Sequence, residues 1–61
     1  MNEQTKVKVI CDNSGGGGDE WAIGKTGVVM TVEDDGYCEV RLDGHGDGTY
    51  QFADYQLEEI P

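Results

Sequence analysis

Apolar and polar positions alternate in two short stretches of this chain, around Val7–Cys11 and Tyr37–Asp43, and helix has little room anywhere. In "TKVKVIC", Val7, Val9 and Cys11 fall on one face and Lys6, Lys8 and Ile10 on the other, which predicts a half-buried first strand. "VVMTV" (28–32) is rich in β-branched residues and predicts a second strand. In "YCEVRLD" (37–43) the alternation is sharpest, with Cys38, Val40 and Leu42 inward and Tyr37, Glu39, Arg41 and Asp43 outward. "TYQF" (49–52) predicts a fourth strand, "ADYQ" (53–56) a single helical turn, and "LEEI" (57–60) a closing strand that Pro61 ends.

The connections are equally legible. "EDDG" (33–36) ends in Asp-Gly, a pair that tolerates the positive φ of a tight turn, and "GHGDG" (44–48) predicts a second turn. Between the first two strands, "DNSGGGGDEWAIGKTG" holds too little side chain for a packed element, so it reads as a long, mobile, Gly-rich loop that returns through Trp21 and Ile23. The expected architecture is all-β: a five-stranded SH3-like barrel with a long first loop and one short helical turn before the last strand. One domain spans residues 1–61, with 1–5 as an N-terminal tail. A chain of 61 residues buries only about 60% of the surface it exposes when unfolded, too little for a large enclosed active site.

The segments "VKVI", "IGKTGVVMTV", "EVRLDG" and "FADYQLEEI" resemble the KOW-type and related SH3-like barrels, in which a Gly-x-x-Gly-x-Val segment opens the second strand. Their order also resembles the E-type accessory protein of photosystem I and the variable subunit of ferredoxin-thioredoxin reductase. The likeness runs from Lys6 to Ile60 through short, chiefly structural motifs. It implies the fold, and it implies as one function a redox-complex accessory subunit. Four glycines in the long loop and few basic residues to meet an acidic electron carrier weigh against that role. A shared barrel does not choose among functions.

Two motifs invite sharper chemistry and fail on spacing or residue type. Gly24-Lys25-Thr26 ends like a phosphate-binding loop of the form G-x-x-x-x-G-K-S/T, but five residues separate Gly18 from Gly24, one too many. A β-branched strand replaces the helix that should follow, and Asp19 and Glu20 would repel a phosphate. The segment is expected instead to re-enter the sheet, with Gly27 giving the backbone room at a crowded corner and Lys25 and Thr26 on the surface. Asp43, His45, Asp47, Gly48 and Asp54 mimic the order of a calcium loop, yet His stands for an oxygen ligand, Asp for the closing Glu, and no helices flank them. An acidic hairpin turn is the expectation, with His45 an exposed turn residue.

Composition narrows the function. Thirteen acidic residues against four basic ones give a net charge of −9, which opposes direct nucleic-acid binding and favours a partner protein with a basic surface. KOW-type RNA binding is disfavoured because only Lys6, Lys8, Lys25 and Arg41 could neutralise phosphate. No apolar run suits a membrane, and "MNEQTKVKV" lacks the apolar block of a leader, so the expectation is a cytoplasmic protein. Cys11 and Cys38 are then expected as reduced, largely buried thiols. No cofactor or metal is expected: a structural zinc takes a full tetrahedral set of ligands, more than two cysteines and one histidine supply. No catalytic residues are assigned, since the one histidine lies in a turn and both cysteines alternate toward the core.

In the SH3-like plan the first loop and the 33–36 turn lie side by side. That would gather Asp12, Asp19, Glu20, Glu33, Asp34 and Asp35 around Trp21, with Tyr37 and Tyr55 near, as a seat for Arg- or Lys-bearing segments. The competing role for Trp21 is to cap the barrel while the acids confer solubility. The function expected is a non-enzymatic, acidic interaction module that docks on or modulates a larger complex, like the accessory proteins of bacteria and their phages. Its sharper form is a nucleic-acid mimic.

Overall fold

A computed structural model describes all residues from Met1 to Pro61. Five strands form one antiparallel sheet: β1 (Lys6–Val9), β2 (Thr26–Val32), β3 (Tyr37–Leu42), β4 (Tyr50–Ala53) and β5 (Leu57–Glu59), in the order β4-β3-β2-β1-β5. Two short 3-10 turns complete the regular structure, Glu20–Ala22 inside the long first loop and Asp54–Gln56 between β4 and β5. No helix is long and apolar enough to cross a membrane.

The two edge strands, β4 and β5, are consecutive in the chain, and this decides the shape of the sheet. In a flat sheet the edges of five strands stand about 19 Å apart. The three residues that join Ala53 to Leu57 span at most about 14 Å fully extended, and less when wound as a 3-10 turn. The sheet is therefore rolled, and the molecule is nearly as deep as it is wide, 26 × 26 × 22 Å. Rolling puts the alternate apolar residues inside: Val7 and Val9 of β1, Val29 of β2, Cys38, Val40 and Leu42 of β3, Phe52 of β4 and Leu57 of β5 form one buried cluster with Ala22.

Two features of β2 adjust that face. Val29 pairs with Val40 and Thr31 with Glu39, so two steps along β2 match one along β3, and Met30 is the extra residue of a β-bulge. The bulge reverses the alternation, so that Thr31 shares the outer face with Glu39 while Val32 stands opposite buried Cys38. Gly27 is the second feature. A Cβ there would collide with the Arg41 carbonyl oxygen and lie 3.0 Å from both Leu42 Cα and Val40 Cγ1, so β2 and β3 can approach only over a glycine.

The structure corrects several boundaries. β2 begins at Thr26 rather than Val28, because the chain is already paired when it leaves Lys25, whose carbonyl accepts from Val9 N–H at 2.9 Å. β1 stops at Val9, so Cys11 lies beyond the strand and is only half-buried, whereas Cys38 is buried as expected; both are free thiols. The first five residues are tied down: Gln4 N–H donates to Val29 O (2.7 Å), Thr5 O accepts from Val29 N–H (2.9 Å), and Met1 packs on the core. The long first loop, expected to be loose, is fastened at several points described below.

Gly27→Ala should lower the free energy of unfolding by about 1–3 kcal/mol, the usual cost of forcing atoms into a filled site. Urea denaturation of the variant beside the parent protein measures it, and an unchanged midpoint would rule out the close approach.

Candidate functional site

The second 3-10 turn is where the loops meet, and its last residue, Gln56, is the only polar residue buried in the molecule. A carboxamide offers two acceptor sites and two N–H donors, and here all four are used. Gln56 Oε1 accepts from Ala53 N–H (2.8 Å) and from Asn13 Nδ2 (3.4 Å), while Nε2 donates to Asp19 Oδ2 (3.0 Å) and to Cys11 O (3.3 Å). The bond to Ala53 is the reverse half of a capping box; alanine has no side-chain acceptor to make the other half. No buried side-chain polar atom is left without a partner.

Gln56 thereby grips the long loop at its neck. There Asp12 Oδ1 accepts from Asn13 N–H (2.7 Å) and, across the neck, from Asp19 N–H (2.8 Å). Near the tip, Asn13 Oδ1 accepts from Gly15 N–H (2.7 Å), and Gly17, in left-handed backbone at φ 72°, donates to Asn13 O (2.8 Å). Tyr55 reaches the same region: its hydroxyl accepts from Ser14 N–H at 2.8 Å and pairs with Ser14 Oγ at 3.0 Å. The 12–19 stretch of the loop, which has no apolar side chain, is thus held by polar ties.

The 33–36 turn abuts the other end of the same 3-10 turn. Asp54 N–H donates to Gly36 O (2.9 Å), Glu33 N–H to Tyr37 O (2.9 Å), and Asp35 Oδ1 accepts from Tyr37 N–H (3.2 Å). Glu33 Oε1 accepts from Gln51 Nε2 at 2.9 Å, and Tyr37 stands opposite Ala53 in the β3–β4 pair. Glu33 and Tyr37 are half-buried, Asp34 and Asp35 exposed. The first loop and the 33–36 turn therefore do adjoin one element, Asp54–Gln56, and with it Tyr55, which is 50% exposed.

Trp21 is not the centre of that group. It lies against Tyr50 (ring centroids 5.1 Å apart, edge-on) and His45 (5.7 Å, tilted), and His45 in turn meets Tyr50 edge-on at 6.3 Å. Tyr50 opens β4 and His45 belongs to the 43–49 loop, beyond the end of β3 that is remote from the 33–36 turn. Of the expected site, Asp12, Asp19, Glu33, Asp34, Asp35, Tyr37 and Tyr55 are placed around the second 3-10 turn. Trp21 belongs to a separate aromatic cluster, and Glu20 precedes it in the first 3-10 turn. The sequence reading missed three side chains. Tyr50 could have been found from its two-residue offset to Phe52, and Gln56 from its third place in the turn; nothing in a Gly-rich loop pointed to His45.

No three or more His, Cys, Asp or Glu side chains gather where they could hold a metal ion, and the Asp43–Asp54 segment forms a loop, a strand and the start of a turn. Asp43 Oδ2 accepts instead from Thr26 Oγ1 at 2.8 Å. Among the thiols, burial pushes the Cys38 pKa up, and the nearby carboxylates of Asp54 and Glu33 add to the rise against a smaller opposing pull from the N-terminal ammonium. Cys38 is a protonated core residue at neutral pH rather than a nucleophile.

Gln56→Leu keeps the side chain's bulk but strands the Ala53 amide and breaks the hold on Asp19 and Asn13. It should cost about 3 kcal/mol, since each buried group left unpaired costs about 1–3 kcal/mol, out of a total of roughly 3–9 kcal/mol for a domain of this size. Chemical denaturation together with limited proteolysis in the 12–19 loop reads both effects, and parent-like stability with an uncut loop would contradict the assignment.

No family model, curated protein or solved structure matches this chain, so its function is argued from its own residues.

Proposed function

We propose that this protein is a non-enzymatic, acidic interaction module of the SH3-like barrel type, which docks through its loops on a basic surface of a larger protein complex. One observation carries the reading. The second 3-10 turn holds two acidic loops side by side, with Asp12 and Asp19 on one flank and Glu33, Asp34 and Asp35 on the other, around exposed Tyr55 and half-buried Tyr37.

The placement of the few basic residues supports it. Lys6 pairs with Val28 and Val28 with Arg41 across β1, β2 and β3, and Lys8 pairs with Thr26 and with Glu58. Three of the four basic side chains are thus exposed on the outer face of the sheet rather than in the two acidic loops, and the fourth, Lys25, ends the first loop. Phenols beside carboxylates suit cationic side chains, through cation–π contact and charge pairing. The strand order and the 3-10 turn between β4 and β5 are those an SH3-like barrel requires. A role without catalysis fits the reactive groups: Cys38 is buried and His45 is stacked with two aromatic rings.

Affinity capture at stepped salt tests the proposal, comparing the parent chain with a Glu33→Gln/Asp34→Asn/Asp35→Asn variant and with duplex DNA as competitor. The parent should retain a basic protein at low salt, lose it as ionic strength rises past about 0.15 M, where charges are screened within about 8 Å, and hold it better than the variant. Displacement by DNA would mark a nucleic-acid mimic. Identical capture by parent and variant, or retention indifferent to salt, would contradict the reading.

A further inference from the structure

The Trp21 cluster lies outside the acidic loops just described, and its geometry asks for a ligand of its own. Trp21 remains 46% exposed and Tyr50 36% exposed even though each covers part of the other. His45 is presented to them by a backbone bend between Gly44 (φ 81°) and Gly46 (φ 77°), both in the left-handed region, and its N–H is anchored on Leu42 O at 3.2 Å. Glu20 precedes Trp21 in the first 3-10 turn, and Asp43 and Asp47 lie two residues to either side of His45 in the same loop. Asp43 is fixed there by Thr26 Oγ1.

We infer that exposed Trp21, flanked by Tyr50 and His45 and set between loops that carry Glu20, Asp43 and Asp47, is a seat for an arginine side chain of a partner protein. The inference rests on the interaction-module reading and adds a second contact to it, at a named site and for a named side chain. The occupant is fixed by charge and by shape. An exposed indole on loops that carry these three carboxylates and one lysine, Lys25, in a chain of net charge −9, attracts a cation, because the ring quadrupole and the excess negative charge act in the same direction. The three rings touch, with centroids 5.1–6.3 Å apart, so no slot is open between them for a round ammonium group. Trp21, a flat ring system, is still 46% exposed outside the cluster. A guanidinium is planar, stacks on such a ring system while its edge donors reach a carboxylate, and is more weakly hydrated than an ammonium.

Trp21 is the only tryptophan, so its fluorescence and its indole N–H resonance report on this site alone. The test titrates the intact protein with three capped peptides that differ only in carrying arginine, lysine or uncharged citrulline. The arginine peptide should shift the indole N–H and the His45 and Tyr50 amides in a saturable, salt-sensitive way. It should bind more tightly than the lysine peptide and about threefold to fivefold more tightly than the citrulline peptide, the scale of an exposed cation–π contact, and the citrulline peptide should leave the indole unmoved. Trp21→Leu, checked for a parent-like circular dichroism spectrum, should weaken the arginine peptide by a similar factor. The comparison among peptides on the parent protein stands even if that variant does not fold. Equal shifts from citrulline and arginine, or lysine matching arginine, would overturn the assignment. Arginine-induced shifts confined to residues 33–35 and 54–55 would overturn it while leaving the interaction module intact. Silence from every cationic peptide at both places would remove both.

Discussion

The architecture depends on a three-residue connection. Asp54–Gln56 must carry the chain from one edge of a five-stranded sheet to the other, and the reach of so short a segment forces the sheet to roll. Rolling in turn makes an all-β core possible in so small a chain, because each strand needs only alternate apolar residues when its neighbours curl over them. The same three residues spend their side chains and amides on the surrounding loops: Asp54 N–H on the 33–36 turn, the Tyr55 hydroxyl on Ser14, and the Gln56 carboxamide on both sides of the long loop's neck. One element therefore shapes the sheet and positions the surface.

This division of labour explains how a protein with low apolar content, 36% of its residues, can hold a long glycine-rich loop in place. The core is made almost entirely of strand residues, and Ala22 is the loop's only contribution to it. The 12–19 stretch is fastened instead through hydrogen bonds, worth about 0.5–1.5 kcal/mol each and costing more when a buried one is broken one-sidedly, and Trp21 through its contacts with Tyr50 and His45. Charge is arranged around that scaffold. Lys6, Lys8 and Arg41 lie on the outer face of the sheet beside Glu39 and Glu58, and ten of the thirteen carboxylates lie outside the strands. Two surfaces carry aromatic groups, one at Tyr37 and Tyr55 and one at Trp21, Tyr50 and His45.

How far the sequence reveals this can be traced to particular residues. Alternation in "YCEVRL" identifies the inward face of β3 without error, since Cys38, Val40 and Leu42 are all buried, and Gly27 was legible as a close approach because a lone glycine ahead of a β-branched run has few other purposes. The helical turn before the last strand was legible from its length. The Met30 bulge was not: a single inserted residue leaves no compositional trace, and only the pairing with β3 exposes it. Cys11 was misplaced because alternation continues in the sequence past the point where β1 ends. The site was half legible. Topology predicts that the two acidic loops adjoin, but the direction in which Trp21 turns depends on Tyr50 and His45, side chains distant in sequence whose stacking no local pattern encodes.

The claim on which the rest stands is that the Asp54–Gln56 turn is locked to both loops. Native-state hydrogen exchange on the parent protein tests it most directly, by comparing the amides of Ile10, Asp19, Ala53 and Asp54 with those of the β2–β3 ladder. If the lock holds, these amides, bonded to Gln56 O, Asp12 Oδ1, Gln56 Oε1 and Gly36 O respectively, exchange only in openings nearly as costly as those that free the ladder. Exchange at Asp19 and Ala53 as fast as in an unstructured peptide, beside a protected ladder, would contradict it.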